Sequence, residues 1–101
     1  MTEVAHEHKA LIHRKGDHVA VAIVNIRQGD DVLALYMDDD DTVELKANHG
    51  IPLGHKIALV DLPEGAELIE YGVRVALTKA PISRGDLVHV HNIRSARWNL
   101  N

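Results

Sequence analysis

A glycine-centred turn phrase occurs three times in this chain of 101 residues. In each copy an apolar residue stands three positions before the glycine and another three positions after it, and the glycines are Gly29, Gly65 and Gly85. A glycine at the same place in every copy indicates a turn with positive φ, and the flanking apolar residues indicate a return to one core. Because the copies are unevenly spaced, they do not describe a solenoid. The repeat predicts a compact domain of short strands and glycine turns.

The segments between these turns are rich in valine and isoleucine, whose branching at Cβ favours a pleated strand. No long stretch shows the apolar period of an amphipathic helix, so the predicted fold class is all-β. We predict a single domain at residues 9–93, a flexible N-terminal tail at 1–8 and a C-terminal tail at 94–101. The predicted strands are residues 9–14, 18–26, 31–36, 42–47, 56–62, 67–71, 73–79 and 87–93.

Composition narrows the class of protein. The chain has no cysteine, which excludes a disulfide framework and a thiolate metal site. Its formal charge of −4 at pH 7 argues against nucleic acid as the main partner, because phosphate binding needs a clustered basic surface. No apolar run reaches the length of a membrane span and the first residues are polar, so we expect a cytoplasmic protein without a membrane partner.

Two further segments are predicted to be loops. Residues 50–54 have a glycine at each end and a proline between them, which is typical of a loop. Residues 38–41 are four consecutive aspartates, which repel one another and favour a solvated hairpin tip. A bare run of this kind does not supply the spaced, convergent oxygens of a calcium site.

The chain has eight histidines, and five of them show no clear pattern. His6 and His8 lie in the polar N-terminal segment and are predicted to face solvent without a role. His13 and His18 flank a glycine turn and are predicted to be ordinary surface residues. The sequence leaves His49, which precedes a glycine loop, undecided.

The most informative segment is His89-Val90-His91-Asn92 in the last predicted strand. In a regular strand alternate side chains share a face, so His89 and His91 project together. Asn92 points to the other face, where it is expected to end the strand or orient a neighbour. Two imidazoles on one face can ligate a metal ion or bind an anion, and they can equally be half-exposed strand residues. A metal at this pair would need a third ligand from elsewhere.

A second candidate is Gly54-His55-Lys56. The glycine lets the backbone approach a ligand, His55 can move a proton near neutral pH, and Lys56 can hold a carboxylate. Tyr71, which precedes Gly72, either hydrogen-bonds to substrate through its phenol or caps the core.

These elements occur in the order Gly54-His55-Lys56, Tyr71-Gly72, Gly85-Asp86 and His89-Val90-His91-Asn92. In this order they resemble the small SAF-type (β-clip) domain of altronate and galactarate dehydratases and the small subunit of (2R)-sulfolactate sulfo-lyase. The resemblance runs over about residues 11–98, and residues 92–98 are more similar to the sulfo-lyase subunit. It implies a β-clip fold.

The resemblance also implies an activity. Enzymes of this family remove water or sulfite from a 2-hydroxy acid with help from a divalent metal such as iron or magnesium, and here a separate large subunit would hold most of the metal site. Such an elimination needs a base for the carbon proton, a cation for the developing charge and an acid or metal for the leaving group. The site residues implied are His55, His89 and His91 for catalysis, His89 and His91 as metal ligands, and Lys56, Tyr71 and Asn92 for substrate binding.

Alternatives remain open at this point. Sulfolactate is favoured over a sugar acid such as altronate or galactarate as the substrate. A hypothesis of a different class is a non-catalytic carbohydrate-binding or assembly module, because fold alone does not decide function. Exposed sheet edges would also allow a homo-oligomer.

Overall fold

In the computed structural model, which describes residues 7–95, the apolar runs form nine short strands. They are β1 (Ala10–Ile12), β2 (Val19–Ala22), β3 (Asp31–Tyr36), β4 (Thr42–Lys46), β5 (Lys56–Ala58), β6 (Glu67–Glu70), β7 (Val73–Thr78), β8 (Leu87–Val88) and β9 (Ile93–Ser95). Residues 7–95 contain no helix, and therefore none long and apolar enough to cross a membrane. The prediction of an all-β domain is confirmed.

The strands form two sheets. The first has the strand order β4-β3-β1-β2-β5-β8, and the second has the order β6-β7-β9. All neighbours are antiparallel except β1 and β3, which run parallel with Ala10 opposite Ala34. A parallel pair needs a crossover, and β2 with the turn after it supplies that connection.

Four glycine turns organise the connections. The three glycines of the predicted repeat have φ values between 82 and 94°, and Gly54 joins them with a φ of 85°. The segment from Ile51 to Ile57 is a fourth copy of the phrase, with an apolar residue three positions before and after the glycine. Residues 50–54, predicted above only as a loop, therefore belong to a further turn of the same design.

The four turns form two pairs through short antiparallel bridges. Ile26 and Ile51 exchange both of their backbone hydrogen bonds at 2.9 Å. Leu62 and Ile82 do the same at 2.8 Å. Each of these residues stands three positions before a turn glycine and packs into the core. The spacing of three residues between the apolar residue and the glycine recurs in all four turns, because the apolar residue is fixed both by its backbone bridge and by its burial in the core.

The core consists of two apolar clusters, one on each face of the first sheet. Successive side chains of a strand point to opposite faces, so Ala20 and Ile57 enter one cluster while Val19 and Ala58 enter the other. The second cluster also contains residues of the second sheet, among them Leu68. With no phenylalanine in the chain, both clusters are built from aliphatic side chains. β2 and β5 are thereby covered on both faces.

The prediction of one strand at residues 87–93 is wrong. The structure divides this segment into β8 and β9, with a turn at residues 89–92 between them. β8 pairs with β5 in the first sheet, whereas β9 pairs with β7 in the second. The alternating valines suggested a continuous strand, but Val90 is 68% exposed and lies outside both core clusters. The chain crosses between the sheets at this turn.

The other predicted strands are present, and several are shorter than expected. The prediction for residues 31–36 agrees with β3 at both ends. The strand predicted at 18–26 ends at Ala22, and the strand predicted at 56–62 ends at Ala58. In both cases the chain leaves the sheet early to reach the bridge that precedes the next turn.

The acidic run at residues 38–41 forms the exposed tip between β3 and β4, as predicted. Lys15, from the turn between β1 and β2, donates a hydrogen bond to Asp41 at 2.8 Å and lies 3.2 Å from Asp39. The hydrogen bond between Lys15 and Asp41 is the main cause of a raised pKa at Lys15 and a lowered pKa at Asp41. One ammonium group therefore offsets part of the repulsion among the carboxylates.

The predicted tails lie largely beyond the part of the chain that the structure describes. Residues 1–6, including His6, and residues 96–101 fall outside it. His8 is exposed, in agreement with its prediction. β9 includes Arg94 and Ser95, which sequence analysis assigned to the C-terminal tail.

Candidate functional site

In two of the four glycine turns, the aspartate that directly follows the glycine adds a side-chain hydrogen bond to the turn. Asp30 accepts a hydrogen bond from the N–H group of Arg27 at 3.0 Å. Asp86 accepts one from the N–H group of Ser83 at 2.9 Å. The bond from Arg27 is the main cause of a lowered pKa at Asp30. In these two turns the side chain that follows the glycine is therefore engaged in a hydrogen bond within the turn.

His55 occupies the same position in a turn that does not need this side-chain hydrogen bond. The first residue of that turn is Pro52, which has no N–H group to donate. The backbone hydrogen bond from the N–H of His55 to the carbonyl of Pro52, at 2.9 Å, has a counterpart in each of the other three turns, so this turn lacks only the additional side-chain bond. The proline therefore removes the need for a side-chain acceptor at this position, and the Nδ1 of His55 lies 3.4 Å from the carbonyl oxygen of Leu53.

The turn at residues 89–92 is held by the side chain of Asn92. Its Oδ1 accepts a hydrogen bond from the N–H of His89 at 3.0 Å, and its Nδ2 donates to the carbonyl of Leu87 at 2.8 Å. Asn92 is buried, so these bonds are shielded from water. This agrees with the expectation that Asn92 orients a neighbour, while its contact with substrate stays a prediction.

The imidazole rings of His55 and His89 lie side by side where these two turns meet. Their ring centroids are 5.0 Å apart and their planes are inclined by 50°. Both rings line a cleft with a volume of about 300 Å³. The other residues of this imidazole cleft are Gly54, Lys56, Val88, Val90 and Ile93. The structure thus brings His55, Lys56 and His89 to one cleft, and their roles in a site stay predictions.

The structure does not support the predicted pairing of His89 with His91 on one strand face. β8 ends before His89, so the alternation of a regular strand does not apply to these residues. His91 is exposed on the turn. It does not belong to the described residues that line the imidazole cleft. The partner of His89 is instead His55, which comes from a different turn.

Lys56 forms an ion pair with a buried carboxylate that sequence analysis did not identify. Its Nζ lies 3.1 Å from Oε1 of Glu70, which is 5% exposed. The other oxygen of Glu70 lies 3.5 Å from Nε2 of His13. A buried carboxylate requires such partners. The sequence did contain a signal, because Glu70 follows Leu68 by two residues in β6 and shares its inward face.

Tyr71 does not cap the core, which corrects one of its two predicted roles. It is 54% exposed, and its ring stacks on that of His13 with the centroids 3.8 Å apart. Its backbone has a positive φ of 59°. The buried carboxylate of Asp17 accepts hydrogen bonds from the N–H groups of Tyr71 and Gly72, at 2.9 and 3.1 Å, and holds this conformation. A hydrogen bond from Tyr71 to substrate stays a prediction.

Three other histidines have structural roles. His13 is partly buried between Glu70 and Tyr71, and His18 accepts a hydrogen bond at Nδ1 from a backbone N–H of β6 at 3.0 Å. The prediction that both are ordinary surface residues is wrong. His49 accepts a hydrogen bond at Nδ1 from the first N–H of β8, at 3.1 Å.

A larger cleft, of about 490 Å³, adjoins the imidazole cleft. The two share Lys56, Val90 and Ile93. The remaining residues of the larger cleft are Leu68, Val75, Ala76, Lys79, Arg94 and Ser95. It is thus lined by apolar residues and by three basic residues, and no aspartate or glutamate of residues 7–95 is among them.

The described residues do not by themselves form a metal centre. Within residues 7–95 there is no group of three or more histidine, aspartate or glutamate side chains placed to hold a metal ion. His55 and His89 offer at most two ligands, whereas a catalytic zinc site typically has three from protein. Residues 7–95 alone therefore do not supply three protein ligands for the predicted divalent metal.

The fold and the cleft define the class: a small all-β domain that presents a pair of imidazoles and a lysine. Residues 8–96 match the altronate/galactarate dehydratase SAF domain family. The chain belongs to this family, which confirms the resemblance inferred from its glycine, histidine and tyrosine elements.

Curated relatives fall into two groups. The (2R)-sulfolactate sulfo-lyase subunit alpha of Chromohalobacter salexigens is 35% identical over 87% of this chain and 95% of that protein. The subunit alpha of the same name from Paracoccus pantotrophus is 33% identical over 66% of this chain and 100% of that protein. The altronate dehydratase of Escherichia coli is 38% identical over 78% of this chain, but the match spans only 15% of that enzyme.

Proposed function

We propose that this chain is the small subunit of a two-chain lyase that eliminates sulfite or water from a 2-hydroxy acid. The observation that carries the proposal is the pairing of His55 and His89, with centroids 5.0 Å apart, beside Lys56 in one cleft. The favoured substrate is (2R)-sulfolactate. This choice is supported by the match to 95% of a protein named as a subunit of sulfolactate sulfo-lyase.

The proposed reaction breaks two bonds of the substrate, one C–H bond and the bond to the leaving group. A base removes the proton from the carbon next to the carboxylate, the bond from the neighbouring carbon to sulfite or hydroxide breaks, and the resulting enol becomes a 2-oxo acid. His55, beside Lys56, is the proposed base, and His89 delivers a proton to the leaving group. The ammonium of Lys56 stabilises the negative charge that develops near the carboxylate.

In this proposal a large subunit completes the site. Two relatives carry the name subunit alpha, which supports a partner chain. We assign the divalent metal ion, iron or magnesium, mainly to that partner, because the described residues offer no three-ligand group. His91, which is exposed on the turn, remains a candidate ligand toward it.

Dehydration of a sugar acid is the second candidate. It is supported by the 38% identity to altronate dehydratase over 79 residues. The two candidates share the proton abstraction and differ in the leaving group. They are therefore separated by the product, which is sulfite in one case and water in the other.

The experiment is a purification of the tagged chain from its native cells, followed by an assay with added divalent metal on sulfolactate, altronate and galactarate. Recovery of a larger chain together with sulfite release is the expected result. Dehydration of a sugar acid instead would assign the second candidate. A chain that is recovered alone and inactive would contradict the lyase proposal and favour a carbohydrate-binding or assembly module.

Variants test the assignment of residues. His55→Gln and His89→Gln are each expected to lower kcat of the assembled enzyme by about 100-fold, the usual contribution of a general acid or base. The matched control is His8→Gln, at an exposed position outside the cleft, which should leave kcat unchanged. Equal activity of all three variants would contradict the proposed roles.

A further inference from the structure

Two basic residues that line the larger cleft have no role in the proposed elimination. Lys79 directly follows β7, Arg94 lies in the neighbouring strand β9, and both line this cleft together with Lys56. Within residues 7–95 the ammonium of Lys79 and the guanidinium of Arg94 make no hydrogen bond or ion pair. Lys56, by contrast, is already paired with Glu70.

The charge of this cleft is opposite to that of the whole chain. The chain has 15 acidic and 11 basic residues, yet no acidic side chain of the described residues lines the cleft. Glu70, which is not among the residues that line the cleft, compensates Lys56, so the charges of Lys79 and Arg94 are left for a ligand. Apolar walls strengthen their attraction for an anion, because a cleft of one charge with low-dielectric walls focuses the field.

We propose that the larger cleft binds the carboxylate of the 2-hydroxy acid, and that Lys79 and Arg94 are the residues that determine this specificity. The inference rests on the proposed function and adds the position of the substrate. The two clefts join at Lys56, so one small molecule can place its carboxylate between Lys79 and Arg94 and its leaving group beside the imidazoles of His55 and His89. The guanidinium of Arg94 can bind the carboxylate through two parallel hydrogen bonds.

The first test measures binding by the isolated chain. The labelled chain is titrated with (2R)-sulfolactate and with isethionate, which keeps the hydroxyl and sulfonate but lacks the carboxylate, and amide shifts are followed by NMR. We expect sulfolactate to shift the amides of Ala76 and Arg94 and to bind at least about tenfold more tightly than isethionate, since one charge-assisted bond of about 1.4 kcal/mol corresponds to a factor of ten.

Charge-removing variants make the test specific. Lys79→Gln and Arg94→Gln should each weaken sulfolactate binding by about tenfold and leave isethionate binding unchanged. The matched control is Arg27→Gln, which removes a positive charge outside both clefts. Equal affinity of wild type and Arg94→Gln for sulfolactate, or shifts confined to other parts of the domain, would overturn the inference.

The second test uses the assembled enzyme. Because Lys79 and Arg94 are proposed to bind and not to transfer protons, their variants should raise KM about tenfold and change kcat by less than about twofold. If the isolated chain binds none of the probes while the assembled enzyme releases sulfite, the carboxylate site is wrong and the proposed function stands. If the chain binds sulfolactate through Arg94 but no assembly shows lyase activity, the proposed function fails instead.

Discussion

The Nζ of Lys56 and the Oε1 of Glu70 lie 3.1 Å apart, and this ion pair connects β5 of the first sheet to β6 of the second. The two strands are not hydrogen-bonded to each other, because they belong to different sheets. Lys56 also lines both clefts. The pair therefore couples the packing of the two sheets to the position of a charge in the candidate site.

Removal of the lysine should destabilise the protein more than removal of an ordinary surface charge. Lys56→Met is expected to lower the free energy of unfolding by about 1–2 kcal/mol, because Glu70 is then left buried with one partner fewer. The control is Lys46→Met, which breaks an exposed pair with Asp31 and should cost less than about 0.5 kcal/mol. Urea denaturation measures both. Equal losses of unfolding free energy in the two variants would show that the burial of Glu70 does not increase the cost of removing its partner.

The side chain of Asn92 is expected to control both stability and the position of His89. Asn92→Ala removes partners from a backbone N–H and a carbonyl in a buried turn, which should cost about 1–3 kcal/mol. The imidazole resonances of His89 should move in the same variant. His91→Ala, on the exposed part of the turn, serves as the control and should change neither quantity. An unaltered His89 signal in Asn92→Ala would contradict the orienting role.

The side chain that follows the turn glycine should stabilise the protein only in turns whose first residue has a backbone N–H group to donate. Asp86→Ala removes the acceptor of the N–H of Ser83 and of the Nδ2 of Asn48, and is expected to lower the free energy of unfolding by about 1–2 kcal/mol. His55→Ala, in the turn that begins with Pro52, should cost less than about 0.5 kcal/mol. Chemical denaturation compares the two variants. A loss at His55 as large as at Asp86 would contradict this account.

The acidic tip should show a pH dependence that depends on Lys15. The pKa of Asp41 is lowered chiefly by the hydrogen bond from Lys15, so its contribution to stability is present above the pKa of the unfolded chain. That contribution is lost as the pH falls through the lower pKa of the folded protein. Carboxyl NMR titration should show the pKa of Asp41 rising toward its ordinary range in Lys15→Met. An unchanged titration would assign the shift to the backbone N–H of Thr42, the second cause.

Several features of the site could be predicted from sequence because they are local. The glycine phrase requires a positive φ wherever it occurs, so Gly29, Gly65 and Gly85 were recognised without a structure. The fourth copy, around Gly54, carried the same spacing and was missed because Pro52 and a second glycine marked it as an ordinary loop. Recognition of this copy would have shown that His55 directly follows a turn glycine. The equivalent position in the other three copies is occupied by aspartate twice and by alanine once.

The pairing of His89 was not predictable in the same way. Alternation along a strand favoured His91 as its partner, but that rule holds only while the strand continues. The strand ends because the oxygen and the nitrogen of the Asn92 side-chain amide both form hydrogen bonds that close a turn. The position of the second sheet decides that these local hydrogen bonds replace further strand pairing.

The sequence by itself determined the all-β class, the glycine turns and the family, because these depend on backbone preferences and on motifs within short segments. Only the tertiary structure decided that His55 meets His89, that Glu70 is buried against Lys56 and that Lys79 and Arg94 line one cleft. These contacts join residues that are distant along the chain. They follow from the way two sheets pack across a shared core, and no pattern within a single strand encodes that packing.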